Sequence, residues 1–402
     1  MIEITSEKLA LLLTFFLDLH NYSINGVISM KKSAYIHIPF CTNICHYCDF
    51  NKFFIKNQPV EEYLDALNTE MNLYGKIQAK SLFIGGGTPS ALSEAQLKRL
   101  MGIINERVEI DSESEFAVEA NPGDLTEEKL QILRDSGVNR ISLGVQSFDN
   151  KLLEKIGRSH HSEDVFETIE AAKKAGFSNI SIDIIYGLPD QTLDQVKNDF
   201  LTAIKLDLQH ISAYSLIIEP KTVFYQLYNK GKLSLPSEDT EAEMYEWVMD
   251  ELPKHDFKQY EISNYAKRGY ESKHNLTYWN NEEYYGFGAG AHGYLQGKRY
   301  SNFTVLKKYI EYLKNGVRPI LSESELTQRE KMEEEMFLGL RKNQGVSLIL
   351  FEEKFAISIQ DIFPKALDEL LTKGLIELKD GYLKLTRVGK MLGNEVFQLF
   401  IE

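Results

Sequence analysis

From residue 33 onward the chain repeats one pattern: a short β-branched or aromatic run, a polar or Gly-rich turn, then a longer segment of helical periodicity. The strand candidates are AYIHI (34–38), SLFIG (81–85), EFAVEA (115–120), RISLGV (140–145), ISIDIIYG (180–187) and HISAYSL (210–216). Helix candidates lie between them at 59–76, 127–137, 162–176 and 193–206. Strands joined by crossover helices pair in parallel and need helices to cover the sheet, so the expected class is α/β. Six such units make a partial (β/α)6 barrel, short of the usual eight. The loops after the strand ends would then meet at one mouth, which brings together the cysteine loop, GGGTP, EANPGD, GVQSFD and YGLPD.

After about residue 220 the pattern changes. KTVFYQLYNKGKLSLP (221–236) reads as a linker-like excursion, followed by a helix at 238–253. The tail from 326 reads as helices and then GLIELKDGYLKLT, two short strands around Asp380-Gly381, a hairpin signal. Helix, helix and hairpin suggest a mostly helical, winged-helix-like C-terminal domain with a structural role. The expected organisation is an N-terminal extension (1–29), the barrel (30–225), an extension (226–325) and the C-terminal domain (326–402). The apolar run LALLLTFFLDL (9–19) is shorter than the roughly 20 residues of a membrane-spanning helix. Glu3 and Glu7 precede it against one Lys8, the wrong charge for a secretory signal. Residues 1–29 read either as an amphipathic helix or as a stretch ahead of a start at Met30. A chain of 402 residues with 43% apolar composition can bury a large core. Its net charge of −14 argues against sequence-independent nucleic-acid binding and fits a cytoplasmic protein.

All three cysteines fall in CTNICHYC (41–48), spaced CxxxCxxC. Three clustered thiols are no disulfide framework and point to metal binding or catalysis in a reducing compartment. Zinc would need a fourth ligand from His46, Asp49 or His37, and no second knuckle exists. A [4Fe–4S] cluster with one iron left open fits three thiolates directly. Three buried structural cysteines are the bland alternative.

CxxxCxxC directly after a first strand, with Tyr47 before the third cysteine, resembles the radical S-adenosylmethionine (SAM) superfamily. There the open iron chelates SAM, and one electron cleaves it to methionine and a 5′-deoxyadenosyl radical. YIHIPFC (35–41), GGGTPS (85–90), GVQSFD (144–149), IGRSH (156–160) and DIIYGLP (183–189) further resemble the oxygen-independent coproporphyrinogen III dehydrogenase-like branch. The fold this implies is a radical SAM partial barrel. It puts the [4Fe–4S] cluster on Cys41, Cys45 and Cys48, and SAM on Tyr35, Tyr47, Gly86, Gly87, Thr88, Glu119, Gln146, Arg158 and Asp183.

Two features separate the members of that branch. The decarboxylating enzymes carry a further cysteine two positions after the third, where this chain has Phe50. HNLTYW (274–279), followed by GFGAGAHGYL, is similar to the HNxxYW motif of the HemW-type haem chaperones. The resemblance implies a protein that binds haem as well as SAM and the cluster, passes haem to an acceptor protein, and can form a homodimer. His274 is then the candidate axial ligand, with Tyr278 and Trp279 along a porphyrin face; His292, His160 and His161 are weaker candidates. The competing expectations are an oxygen-independent coproporphyrinogen III oxidase of porphyrin biosynthesis, which decarboxylates propionates, and a zinc-binding scaffold.

Overall fold

The computed structural model describes residues 31–401, so the expectations for residues 1–29 lie outside the described residues. Six parallel strands form its centre: β1 (Lys32–Ile38), β2 (Ile77–Gly86), β3 (Glu115–Ala120), β4 (Arg140–Gln146), β5 (Ile180–Tyr186) and β6 (His210–Ser215). They lie side by side in chain order. Ile36 pairs with Ile84 of β2, Ile84 with Val118 of β3, and Val118 with Ile141 of β4. Most residues of these strands are buried, as expected of a parallel sheet covered on one face by helices and closed on the other. The helices Val60–Leu73, Glu94–Arg107, Glu127–Asp135, Ser162–Lys174 and Leu193–Ile204 supply the covering layer. Local sequence starts them cleanly: Ser93 and Gln96 form a reciprocal capping box, and Thr192 and Gln195 form another.

Both edges of the sheet are extended by the segment after residue 226. The hairpin β7 (Lys258–Glu261) and β8 (Asn264–Ala266) adds antiparallel to β6. On the opposite edge β9 (Tyr284–Phe287) pairs parallel with β1, a further parallel strand that the six-unit reading lacks. β10 (His292–Leu295), β11 (Lys298–Asn302) and β12 (Ile320–Glu325) continue antiparallel from it. Segment 226–325 is therefore part of the same sheet as the barrel strands.

The linker-like reading of 221–236 is corrected. Thr222 caps a helix, Val223–Asn229, whose Phe224 is buried against Leu152, Leu153, Ile156 and Leu188. Burying one phenylalanine contributes roughly 1.5–3 kcal/mol, enough to hold a two-turn helix in place. The Lys and Gly residues flank it: Lys221 precedes the Thr222 cap, and Lys230, Gly231 and Lys232 follow its last turn, all exposed.

Residues from Met332 to Phe400 build a second hydrophobic core of their own, including Met336, Phe351, Leu370 and Phe400. Strands Ile376–Lys379 and Tyr382–Leu385 form the expected hairpin. Its two turn residues, Asp380 (φ 53°) and Gly381 (φ 79°), both take the left-handed backbone that a two-residue turn of this hand requires. No helix among the described residues is long and apolar enough to cross a membrane.

Candidate functional site

The strand carboxyl ends surround a cavity of about 370 Å3, and the cysteine loop forms one wall of it. Cys41, Cys45 and Cys48 all line it, with Tyr47 between the last two. Backbone bonds from four places fix that loop. Phe53 N–H donates to the Pro39 carbonyl (2.7 Å), Ile55 N–H to Cys41 (2.9 Å) and His46 N–H to Ile156 (3.0 Å). Phe224 N–H, on the helix misread as linker, donates to the His46 carbonyl (3.0 Å). The loop is thus held by the protein's own bonds, and its thiols are left free.

The sulfurs sit among donors and cations. The Thr88 hydroxyl reaches Cys41 Sγ and the Arg158 guanidinium reaches Cys45 Sγ, each at 3.5 Å. Burial pushes the Cys41 thiol up to about 11, so without a cation it stays protonated near neutral pH. A metal ion reverses that balance by binding the thiolate directly. Among the described residues no group of three Cys, His, Asp or Glu side chains is close enough to hold a single metal ion. Of the possible fourth zinc ligands, His37 is engaged at both ring nitrogens, bridging Tyr35 and the Asn51 carbonyl; His46 Nδ1 contacts the Lys155 carbonyl (3.0 Å), and Asp49 lines the same cavity. Three thiols on one cavity wall, with no four-ligand group gathered among the described residues, fit an open-iron cluster better than a tetrahedral zinc site.

Opposite the cysteines, β2 ends in the glycine turn. Gly86 has φ 106°, and a side chain there would run into the His37 ring. At Gly87 a Cβ would lie 2.6 Å from the Ile38 carbonyl oxygen, so the turn can pack against β1 only without side chains. Gly86 N–H donates to Glu119 Oε2 at 3.0 Å. Burial, then the nearby Asp183 charge, push the Glu119 carboxyl up to about 7, against the pull of that hydrogen bond. Asp183 is also raised, by burial, while Ser212, the Arg140 charge, Ser142 and the Arg158 charge oppose the shift. Two adjoining carboxyls on the cavity wall, both still raised by burial, form a socket for a ligand that carries positive charge.

Arg158 ties three mouth loops together, donating to Asn121 Oδ1 (2.6 Å), the Gly144 carbonyl and Cys45. Gln146, at the end of β4, holds φ 67° although it is not a glycine, a strained conformation that aims its side chain into the cavity. Cys41, Cys45, Cys48, Tyr47, Gly86, Gly87, Thr88, Glu119, Gln146, Arg158 and Asp183 are therefore brought together. Tyr35 and His274 are not on this wall; they line a second, deeper cavity of about 220 Å3. The two spaces share Phe50, Gly86, Glu119, Ser142, Asp183 and Tyr214, and so run into each other. Residues contributed by all six parallel strands line the deeper one, which shows that the sheet curls around it.

The sequence profile of the Radical SAM superfamily matches residues 35–203, and that of the HemN C-terminal domain matches 326–392. The protein from Bacillus subtilis (strain 168) called "Heme chaperone HemW" is 56% identical over 375 residues, covering 92% of this chain and 99% of its own length. The chain belongs to the HemW family. An Escherichia coli (strain K12) HemW is 32% identical over 377 residues, covering 92% of this chain and 98% of its own. Among solved structures, the coproporphyrinogen III oxidase HemN of Escherichia coli, described as a radical SAM enzyme, superposes with a TM-score of 0.81 at 23% identity. That match covers 92% of this chain and 90% of the other, and what it shows is the shared fold.

Against this background the HemW-type motif at 274–279 takes an unexpected place. It forms the helix Lys273–Trp279 on the floor of the barrel, pinned by buried Glu115, which accepts from Ser272 Oγ and from the Lys273 and His274 N–H groups at 3.0–3.1 Å. His274 is buried and stacks on Phe83. Its Nδ1 bonds the Ser81 hydroxyl (2.9 Å) and its Nε2 the Tyr278 hydroxyl (2.8 Å). Burial and the Lys80 charge push the imidazole down to about 3, so it is neutral. In either tautomer its lone pair is already taken by a hydroxyl. This placement departs from the expectation that His274 ligates haem iron. Trp279 likewise faces Arg341, whose guanidinium lies 4.5 Å from the ring centroid, rather than an open porphyrin face. His160 is buried against Arg158 and the Val145 carbonyl, whereas His161 and His292 are exposed. His274→Ala is expected to destabilise the protein by roughly 2–4 kcal/mol in a urea titration, because it removes the ring partner of the Tyr278 hydroxyl, leaves the buried Ser81 hydroxyl with Ser33 alone, and opens a void.

Sequence reasoning missed Asn121, Ser142 and Tyr214. Asn121 was within reach, since it stands in the quoted EANPGD turn. Ser142 and Tyr214 follow only from strand register, since Ser142 pairs with Ser181 and Tyr214 with Ile185 across β5.

Proposed function

We propose that this protein is a cytoplasmic haem chaperone that holds a [4Fe–4S] cluster on Cys41, Cys45 and Cys48 and SAM in the mouth cavity, and delivers haem to an acceptor protein. When bound, the cluster and SAM supply one-electron and radical chemistry. The chain's own residues bind and orient: Gly86 and Gly87 give close backbone approach, while Glu119 and Asp183 face a cationic ligand. Arg158 and Thr88 donate to the thiolates, and Tyr47 and Gln146 complete the wall.

The observation that carries the reading is position 50. The whole-length match to proteins named as haem chaperones comes with an exposed phenylalanine, not a thiol, at the lip of the cavity. The alternative, oxidative decarboxylation of coproporphyrinogen III, needs a tetrapyrrole beside SAM. The test is to incubate anaerobically reconstituted protein with SAM, dithionite and coproporphyrinogen III. No protoporphyrinogen IX is expected, while added haem is bound with a Soret band; catalytic formation of protoporphyrinogen IX would overturn the chaperone reading.

A further inference from the structure

If haem cannot enter the barrel floor, it needs another apolar surface. Ile44, Phe50 and Phe54 are exposed apolar side chains on or beside the cluster loop, and Phe50 stands at the lip of the mouth. Phe50, 64% exposed, and Ile217, 65% exposed, come from opposite ends of the barrel sequence and line the same opening. The helix Val223–Asn229, bonded to the cysteine loop through Phe224 N–H, turns Val223, Tyr225 and Tyr228 outward while burying Phe224. Exposed apolar groups held on ordered backbone mark a contact surface rather than a core.

Charge identifies the occupant. In a chain of net charge −14, residues 221–232 carry three lysines and no carboxylate, and residues 50–58 carry two lysines and no carboxylate. Lys221, Lys230 and Lys232 are exposed, and Lys52 lines the opening beside Phe50, donating to its carbonyl at 3.2 Å. Asp49 and Glu219 line the opening as well, and of these five lysines Lys52 is the one among its lining residues, while Lys221 follows Ile217 closely along the chain. An exposed apolar pair with a lysine beside it and further lysines in the two adjoining segments is complementary to an apolar molecule with carboxylates on one edge.

We infer that haem docks on the outer lip of the mouth, its macrocycle against Phe50 and Ile217 and its propionates toward the lysines of the 50–58 and 221–232 segments. The inference rests on the haem-chaperone reading and adds to it a place, immediately outside the cluster and SAM site. It also gives Phe50 a role as a contact residue.

The test is equilibrium titration of the full chain with hemin and, separately, with metal-free protoporphyrin IX, followed by absorbance and fluorescence quenching. Phe50→Ser and Ile217→Ser are each expected to weaken both porphyrins about tenfold or more, since each removes a large apolar contact. Val317→Ser, an equally exposed apolar residue elsewhere, should leave both affinities unchanged. Ile217 is on a segment separate from the cysteines, so its variant reports on docking even if Phe50→Ser disturbs the loop. Wild type that binds hemin while both variants bind it equally well overturns the docking face alone. Wild type that binds neither porphyrin overturns the chaperone reading, and the docking face with it.

Discussion

Cys45→Ala is expected to abolish the iron–sulfur cluster outright: iron and sulfide per chain fall to background after anaerobic reconstitution, and the broad absorbance near 400 nm disappears. The reason is stoichiometric. Each of three irons requires one protein thiolate, and the sequence holds no fourth cysteine to take the place of Cys45. The fold should survive. Cys45 is only half-buried, and the loop is held through Phe53, Ile55, His46 and Phe224 by bonds that do not involve its sulfur. The melting temperature of the metal-free variant should therefore match that of metal-free wild type within about 2 °C. A variant that retained stoichiometric iron and sulfide would show that the ligand set is wrong.

How much of this site was legible in the sequence depends on the range of the contacts involved. The six parallel strands and four of their five covering helices could be read from local signals: a buried β-branched run, then an amphipathic segment, opened in two cases by a capping threonine, Thr126 or Thr192. The mouth followed from topology, since consecutive parallel strands bring their carboxyl-end loops together. β9 escaped because YYGF is short, contains a glycine, and becomes a parallel strand only by pairing with β1, some 250 residues earlier. The helix at 223–229 escaped because it is short and is flanked by Lys221, Lys230, Gly231, Lys232 and Pro236, while Phe224 shows its purpose only against Leu152 and Ile156. His274 is the clearest case. Its motif is visible in sequence, but its ring is positioned by Ser81, 193 residues away, and its helix by Glu115. A motif identifies relatives; the partners of its side chains come from the rest of the fold.

Glu119→Gln should separate binding from stability, because the same carboxyl is placed for a ligand and costly without one. With its folded-state pKa pushed up to about 7 against an ordinary 4.5, the ligand-free protein favours the protonated form. The stability this group contributes is full below the unfolded value and is lost as pH rises through about 7. Above that pH wild type carries a buried anion that costs roughly 3 kcal/mol, and the glutamine variant does not. Thermal melts of ligand-free protein should therefore coincide near pH 5, with the variant melting higher at pH 8. SAM binding should move the opposite way. Its cationic centres pair with the ionised carboxylate, so wild-type affinity should climb with pH across the same interval. The variant's affinity should stay flat and about tenfold to a hundredfold weaker at pH 8. The Gly86 N–H can still donate to the glutamine carbonyl oxygen, so loss of that bond would not explain weaker binding. A variant that bound SAM as tightly as wild type at pH 8 would remove Glu119 from the ligand socket, whatever its melting temperature.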